Sequence, residues 1–237
     1  VDKIFNRRKI KMKTIAIVGA GPGLGLSMAK TFGKNGFQVA LIARRKESLD
    51  QMVDTLKSLG IESQGFVADV MKEQSIINAF SAVKAKYGSV NVLGYSPISM
   101  EFIPPSQVTT DIAKRSFDFQ ILGAIASVQQ VLQDMIKEQN GTILLTGGRS
   151  SVIPMSLIGS LSPMAAALRN YAYILNEELA GKGIYTGTVT VCCQITPEIA
   201  NSIAALYWDM YQKRDRVEEI FGENIRIKNG FPVRFNE

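Results

Sequence analysis

The chain has 237 residues, 46% of them hydrophobic and 20% charged, with a net charge of +6, two cysteines and no histidine. This composition excludes a disordered or fibrous chain and supplies apolar residues for a sizeable core. The adjacent Cys192 and Cys193 exclude a disulfide framework and point to a reducing, cytoplasmic setting. The lack of histidine excludes Ser-His and Cys-His nucleophile pairs, histidine-ligated metals and histidine pH switches. No apolar run has the length of a membrane span, so no membrane partner is expected.

Most of the positive charge lies in residues 1–11, where Lys3, Arg7, Arg8, Lys9 and Lys11 face a single acid, Asp2. The segment reads as a basic leader or disordered arm, with Met12 as the natural start. It lacks the apolar middle of an export signal. Nucleic-acid binding through this arm ranks last, because no aromatic or Gly-rich binding pattern accompanies it.

From Thr14 onward, short apolar runs alternate with longer amphipathic stretches. Strands are predicted at 14–18, 38–43, 62–68, 90–93, 142–146 and 184–193. Helices are predicted at 26–35, 47–59 and 72–87, the last two closed by Gly60 and Gly88. A break at Pro104-Pro105 precedes one long helix over 111–139, followed by helices at 162–180 and from Pro197 to about Phe221. Apolar runs without alternation suit strands covered on both faces. The repeated strand–helix order predicts an α/β, doubly wound Rossmann fold, a parallel sheet with helices on both faces. Residues 12–237 read as one domain, including a helix-rich cap near 195–225.

Between the first strand and first helix stands Val18-Gly19-Ala20-Gly21-Pro22-Gly23-Leu24-Gly25. In that position Gly19 permits a sharp exit from the strand, Gly23 lets backbone approach a pyrophosphate, and Gly25 lets the helix pack near the sheet. Free amides around Leu24 favour an anion there. The second strand ends in Ala43-Arg44-Arg45, with no carboxylate before Glu47. An acid would bond the ribose 2′-hydroxyl of NAD, whereas Arg44 suits a 2′-phosphate, so NADP is favoured over NAD. The plainer alternative is that both arginines solvate a helix start.

These spacings resemble the short-chain dehydrogenase/reductase superfamily from Met12 to about residue 215. The glycine spacing is that family's form, and Asp69-Val70 is similar to its adenine-contacting pair. The resemblance implies that Asp69 accepts from the adenine amino group and that Val70 bonds through its N–H; Asp69 also reads as a helix N-cap. Asn140-Gly141-Thr142-Ile143, Ala166–Asn170 and Glu177-Glu178-Leu179 resemble the family's fifth strand and catalytic helix. The implied cofactor contacts are Gly19, Gly21, Gly23, Leu24, Gly25, Arg44, Asp69, Val70, Tyr95 and Ser96, the last two at the end of the fourth strand. No metal is expected.

The resemblance also implies a tyrosine as proton donor, a lysine four residues on, a serine for the substrate oxygen and an asparagine for a relay water. Those positions fall on Leu161, Ala165, Gly148 and Gln120. No tyrosine lies between Tyr95 and Tyr171 and no lysine between Lys137 and Lys182, so no small shift restores the pair. Catalytic residues are therefore left unassigned. The expectation is an atypical oxidoreductase, or else a non-catalytic cofactor-binding sensor or partner subunit. Tyr95, the loop Arg149-Ser150-Ser151, Arg169 and the cysteine pair are weighed as substitutes, each with packing or solvated-loop roles as the duller choice. Tyr207, Trp208 and Tyr211 form an aromatic stripe that suits either a cofactor lid or core. Partners implied are a nicotinamide cofactor, a small-molecule substrate if the chain is active, and a second copy in a homodimer or homotetramer.

Overall fold

The computed structural model describes residues 12–99, 101–222, 225–228 and 231–234. The expected basic arm at 1–11 lies outside them. Seven parallel strands make one sheet in the order β3-β2-β1-β4-β5-β6-β7. They are β1 (Lys13–Val18), β2 (Phe37–Ala43), β3 (Ser63–Val67), β4 (Val92–Tyr95), β5 (Gly141–Gly148), β6 (Ile184–Val191) and β7 (Glu218–Phe221). The helices are α1 (Leu24–Lys34), α2 (Lys46–Ser58), α3 (Glu73–Tyr87), α4 (Thr110–Phe117), α5 (Gly123–Glu138), α6 (Ser162–Leu179) and α7 (Pro197–Lys213). A separate antiparallel pair, β8 (Ile225–Lys228) and β9 (Phe231–Arg234), follows.

The inner strands β1, β2 and β4 read as largely apolar runs because both sheet faces are covered there. Along β1, Ile15 and Ile17 face one core while Ala16 and Val18 face the other. The first core holds Met28 and Phe32 of α1, Leu49 of α2 and Ile203 and Tyr207 of α7. The second holds Phe80 of α3, Val131 of α5 and Leu168 of α6. Phe32 and Phe80 are fully buried, and each such side chain contributes roughly 1.5–3 kcal/mol. The strand order reverses between β1 and β4. That switch point opens a crevice at the carboxyl ends of the strands, where ligands bind in such sheets.

Two predicted elements differ in the structure. The long helix over 111–139 is interrupted by a π-helical turn, Asp118–Leu122, between α4 and α5. Such a turn frees a backbone carbonyl, and Tyr95 meets one of them, as described below. The last helix does not reach Phe221. Arg214 takes a left-handed conformation (φ 52°) and caps α7 at Lys213. Residues 218–221 are instead the strand β7, so the expected helical cap near 195–225 is helix only in its first part. The physical reason is Glu218. Its carboxylate is buried against Arg169, Tyr173 and Thr190, which holds the segment beside β6. Among the described residues no helix is long and apolar enough to cross a membrane.

Candidate functional site

The turn after β1 is tied to β2. The N–H groups of Gly19 and Ala20 both donate to the Ile42 carbonyl, at 2.9 and 3.1 Å. Gly19 has φ 77°, and a Cβ there would stand 2.4 Å from the Pro97 nitrogen, so only glycine fits. At Gly25 a Cβ would stand 2.9 Å from the Ala20 Cα, which brings the start of α1 against its own turn. Gly21 and Gly23 differ: nothing lies within 4 Å of a Cβ at either. Two glycines therefore serve packing, and two border open space.

That space lies at the amino end of α1. Leu26 and Ser27 donate to the carbonyls of Gly21 and Gly23 at 2.9 and 3.1 Å, and no side chain caps the helix. The amides of Leu24 and Gly25, in the first turn, have no acceptor within the helix. Amides of this kind favour an anion. The opening beside Gly21 and Gly23, which side chains would fill, fits the diphosphate of a dinucleotide.

The other expected contacts lie along the same sheet edge. Arg44 follows β2, is exposed, and lines a cavity of about 280 Å³ together with Met71, Ile98, Ser116, Phe119 and Leu161. Asp69 is not a helix cap, since the cap of α3 is Lys72. Its Oδ1 accepts from the Met71 N–H at 3.1 Å, and its own N–H donates to the Ser75 hydroxyl at 3.1 Å. Val70 is buried, and its carbonyl packs at the start of α5. Ser96 extends β4 by donating its N–H to the Val18 carbonyl at 2.9 Å.

Tyr95 is turned into the core, 1% exposed. Its hydroxyl donates to the Phe119 carbonyl at 3.0 Å. Burial pushes its pKa up, so it stays protonated. A direct acid or cofactor-contacting role has no exposed side-chain atom to carry it. What Tyr95 gives the crevice is the position of Phe119, which forms part of the cavity wall.

Comparison with known proteins agrees with this fold. The model of the short chain dehydrogenases matches residues 13–204. The chain belongs to the short-chain dehydrogenase family. An uncharacterized oxidoreductase of Listeria monocytogenes is 29% identical over 185 residues, 77% of this chain and 73% of its relative. A short-chain dehydrogenase from Rhodopseudomonas palustris superposes with a TM-score of 0.81 at 22% identity, covering 89% of this chain and 98% of that one. L-Sorbose reductase from Gluconobacter frateurii, solved with NADPH and L-sorbose, superposes at 0.75 with 19% identity, covering 87% and 78%. The two structural likenesses speak for the fold.

In this short-chain dehydrogenase fold, Gly148 ends β5 with nothing within 4 Å of a Cβ. Leu161 sits at the start of α6 and is buried on the cavity wall. Ala165, one turn on, is also buried, and its N–H donates to the Leu161 carbonyl at 2.8 Å. Gln120 lies inside the π-helical turn.

The other sequence candidates are engaged in structure. Arg169 is bonded to Glu218 through Nε and Nη2, the shortest contact being 2.6 Å, and also reaches Tyr173. Ser151 donates to the Gly148 carbonyl at 2.8 Å, and Ser150 is buried in the same short 3₁₀ turn. Cys192 is buried, and Cys193 packs on Gly222. The aromatic stripe is core. Tyr207 is fully buried with its hydroxyl 2.7 Å from that of Thr146, and Trp208 and Tyr211 pack edge-on to Phe32 and Phe37. Sequence reasoning passed over Arg115, Ser116 and Glu101, which line the same cavity as Arg44. The available signal was two polar side chains on α4, one helix turn before the Phe119 wall.

Proposed function

We propose that this chain is an NADP(H)-binding oxidoreductase that works without the serine, tyrosine and lysine its family resemblance implies. The observation that carries the reading is the open space beside Gly21 and Gly23 at the uncapped start of α1, with Arg44 at the end of β2 on the same edge and no acid in the chain between it and Glu47. The amides of the first turn of α1 would hold the diphosphate, and Arg44 would pair with a 2′-phosphate. Asp69 and Val70 would contact the adenine, as the family resemblance implies. A bound reduced nicotinamide supplies a hydride. Leu161, on the cavity wall, and the buried Ala165 can neither donate a proton nor carry a charge. The proton must then come from solvent or from the substrate itself.

The buried Leu161 and Ala165 also favour a second reading, a cofactor-binding sensor or partner subunit without turnover. A panel of carbonyl and alkene compounds, followed at the reduced-nicotinamide absorbance band, separates the two. Substrate-dependent loss of that band supports the reductase; saturable binding with no loss across the panel supports the sensor. The exposed Phe117, Leu122 and Ile174, on the π-turn region and α6, support assembly as a homodimer or homotetramer.

A further inference from the structure

We infer that Arg115 is a second cationic arm of the cofactor cavity, held by Glu101 until the 2′-phosphate of NADP(H) takes that carboxylate's place. The inference rests on the NADP(H) reading above and adds the residues that set selectivity between the two cofactors.

Arg115, on α4, lines the same cavity as Arg44. Its ion pair with Glu101, on the segment following β4, is 3.6 Å long, and the two side chains are 53% and 39% exposed. A solvated pair of that length is weakly held. The pair Lys84–Asp134, by contrast, closes to 2.7 Å. A guanidinium meeting a phosphate makes shorter, charge-assisted bonds and matches its geometry with two donors. Exchange of Glu101 for a phosphate is therefore downhill for Arg115.

A second observation points to a ligand in the same cavity. Ser116 is 3% exposed and lines it, and its Oγ has no hydrogen-bond partner. A buried hydroxyl left without a partner is unfavourable, and a polar edge of a bound base would satisfy it. Met71 and Phe119 supply apolar walls for a flat ring. Once Arg115 leaves Glu101, the cavity offers two guanidiniums, two serines and apolar sides, the chemistry that recognises an adenosine bearing an extra phosphate. NAD(H) carries no such phosphate and leaves Arg115 with Glu101.

The test is calorimetric titration of the full chain with NADPH and with NADH, using wild type, Arg115→Gln, Arg115→Lys and Glu101→Gln. Arg115→Gln should weaken NADPH about tenfold and leave NADH within about twofold. Arg115→Lys should fall between wild type and Arg115→Gln. Glu101→Gln, which removes a competing and repelling carboxylate, should tighten NADPH several-fold. Unchanged melting temperatures would show that the folds are intact. Wild type that prefers NADPH, with Arg115→Gln keeping that preference in full, would overturn this inference alone. Wild type that binds neither cofactor would overturn the NADP(H) reading, and this inference with it.

Discussion

The Tyr95 hydroxyl occupies the space that a side chain on Gly123 would need: a Cβ there would stand 2.6 Å from that oxygen and 2.8 Å from the Val70 carbonyl. The same hydroxyl bonds the Phe119 carbonyl within the π-helical turn. One buried phenol therefore fixes the junction of α4 and α5 and, through Phe119, a wall of the cavity. Tyr95→Phe should cost about 1–3 kcal/mol, because it leaves a buried carbonyl without its donor. Gly123→Ala should cost about 1–3 kcal/mol by overpacking. The double substitution should cost less than the sum, since removing the hydroxyl makes part of the room. Urea denaturation of the four proteins measures this; strict additivity would contradict it.

The glycines of the cradle should separate into two kinds. Gly19→Ala places a Cβ against the Pro97 backbone at a φ of 77°, and should lower stability by about 2 kcal/mol or more. Gly21→Ala and Gly23→Ala meet nothing, and should change stability by no more than about 0.5 kcal/mol. Both should nevertheless weaken NADPH binding, because the added methyl enters the space proposed for the diphosphate. Thermal melting beside cofactor titration checks the split. Equal behaviour of all three variants would refute it.

Much of this edge was legible in the sequence, because each signal is local. Gly19 to Gly25 needed only a strand before and a helix after, and Arg44 needed only its place at the end of β2. What escaped is what depends on distant partners. The π-helical turn inserts a carbonyl that Tyr95, earlier in the chain, must meet, and the apolar spacing of 111–139 runs on across it. Strand β7 was read as helix because Val217–Phe221 carries no alternation of its own. Its buried face is set by Glu218, whose partner Arg169 lies 49 residues earlier. Arg169, in the mostly apolar first half of α6, was the hint that an acid had to come from elsewhere.

That buried ion pair should be expensive to break from one side. The Glu218 side chain is 0% exposed and that of Arg169 16%. Arg169→Met leaves a buried carboxylate with only the Tyr173 and Thr190 hydroxyls, and should destabilise by about 3–5 kcal/mol. Arg169→Met combined with Glu218→Leu should recover much of that loss, because no charge is then stranded. Denaturant midpoints of the single and double variants decide it. A double variant weaker than Arg169→Met would count against the pair as the anchor of β7.

Stability should fall on the alkaline side and stay level near neutrality. Burial raises the pKa of Tyr95 and of Tyr207 above their ordinary 10.0. A group with a raised folded pKa contributes stability that is complete below its unfolded value. That contribution is lost as pH climbs toward the folded value. The melting temperature should therefore drop from about pH 10 upward. From about pH 6 to 8 it should hardly move, since the chain has no imidazole to titrate. A melting temperature that holds steady from pH 10 to 11 would contradict the burial of these phenols.

The account turns on a dinucleotide seated in the glycine cradle with its extra phosphate on Arg44. Fluorescence titration of the wild-type chain and of Arg44→Gln with NADPH and NADH tests this most directly. The expected result is saturable binding of NADPH about tenfold or more tighter than NADH, with that preference largely erased in Arg44→Gln. No saturable binding of either cofactor, or equal binding that Arg44→Gln leaves untouched, would contradict it.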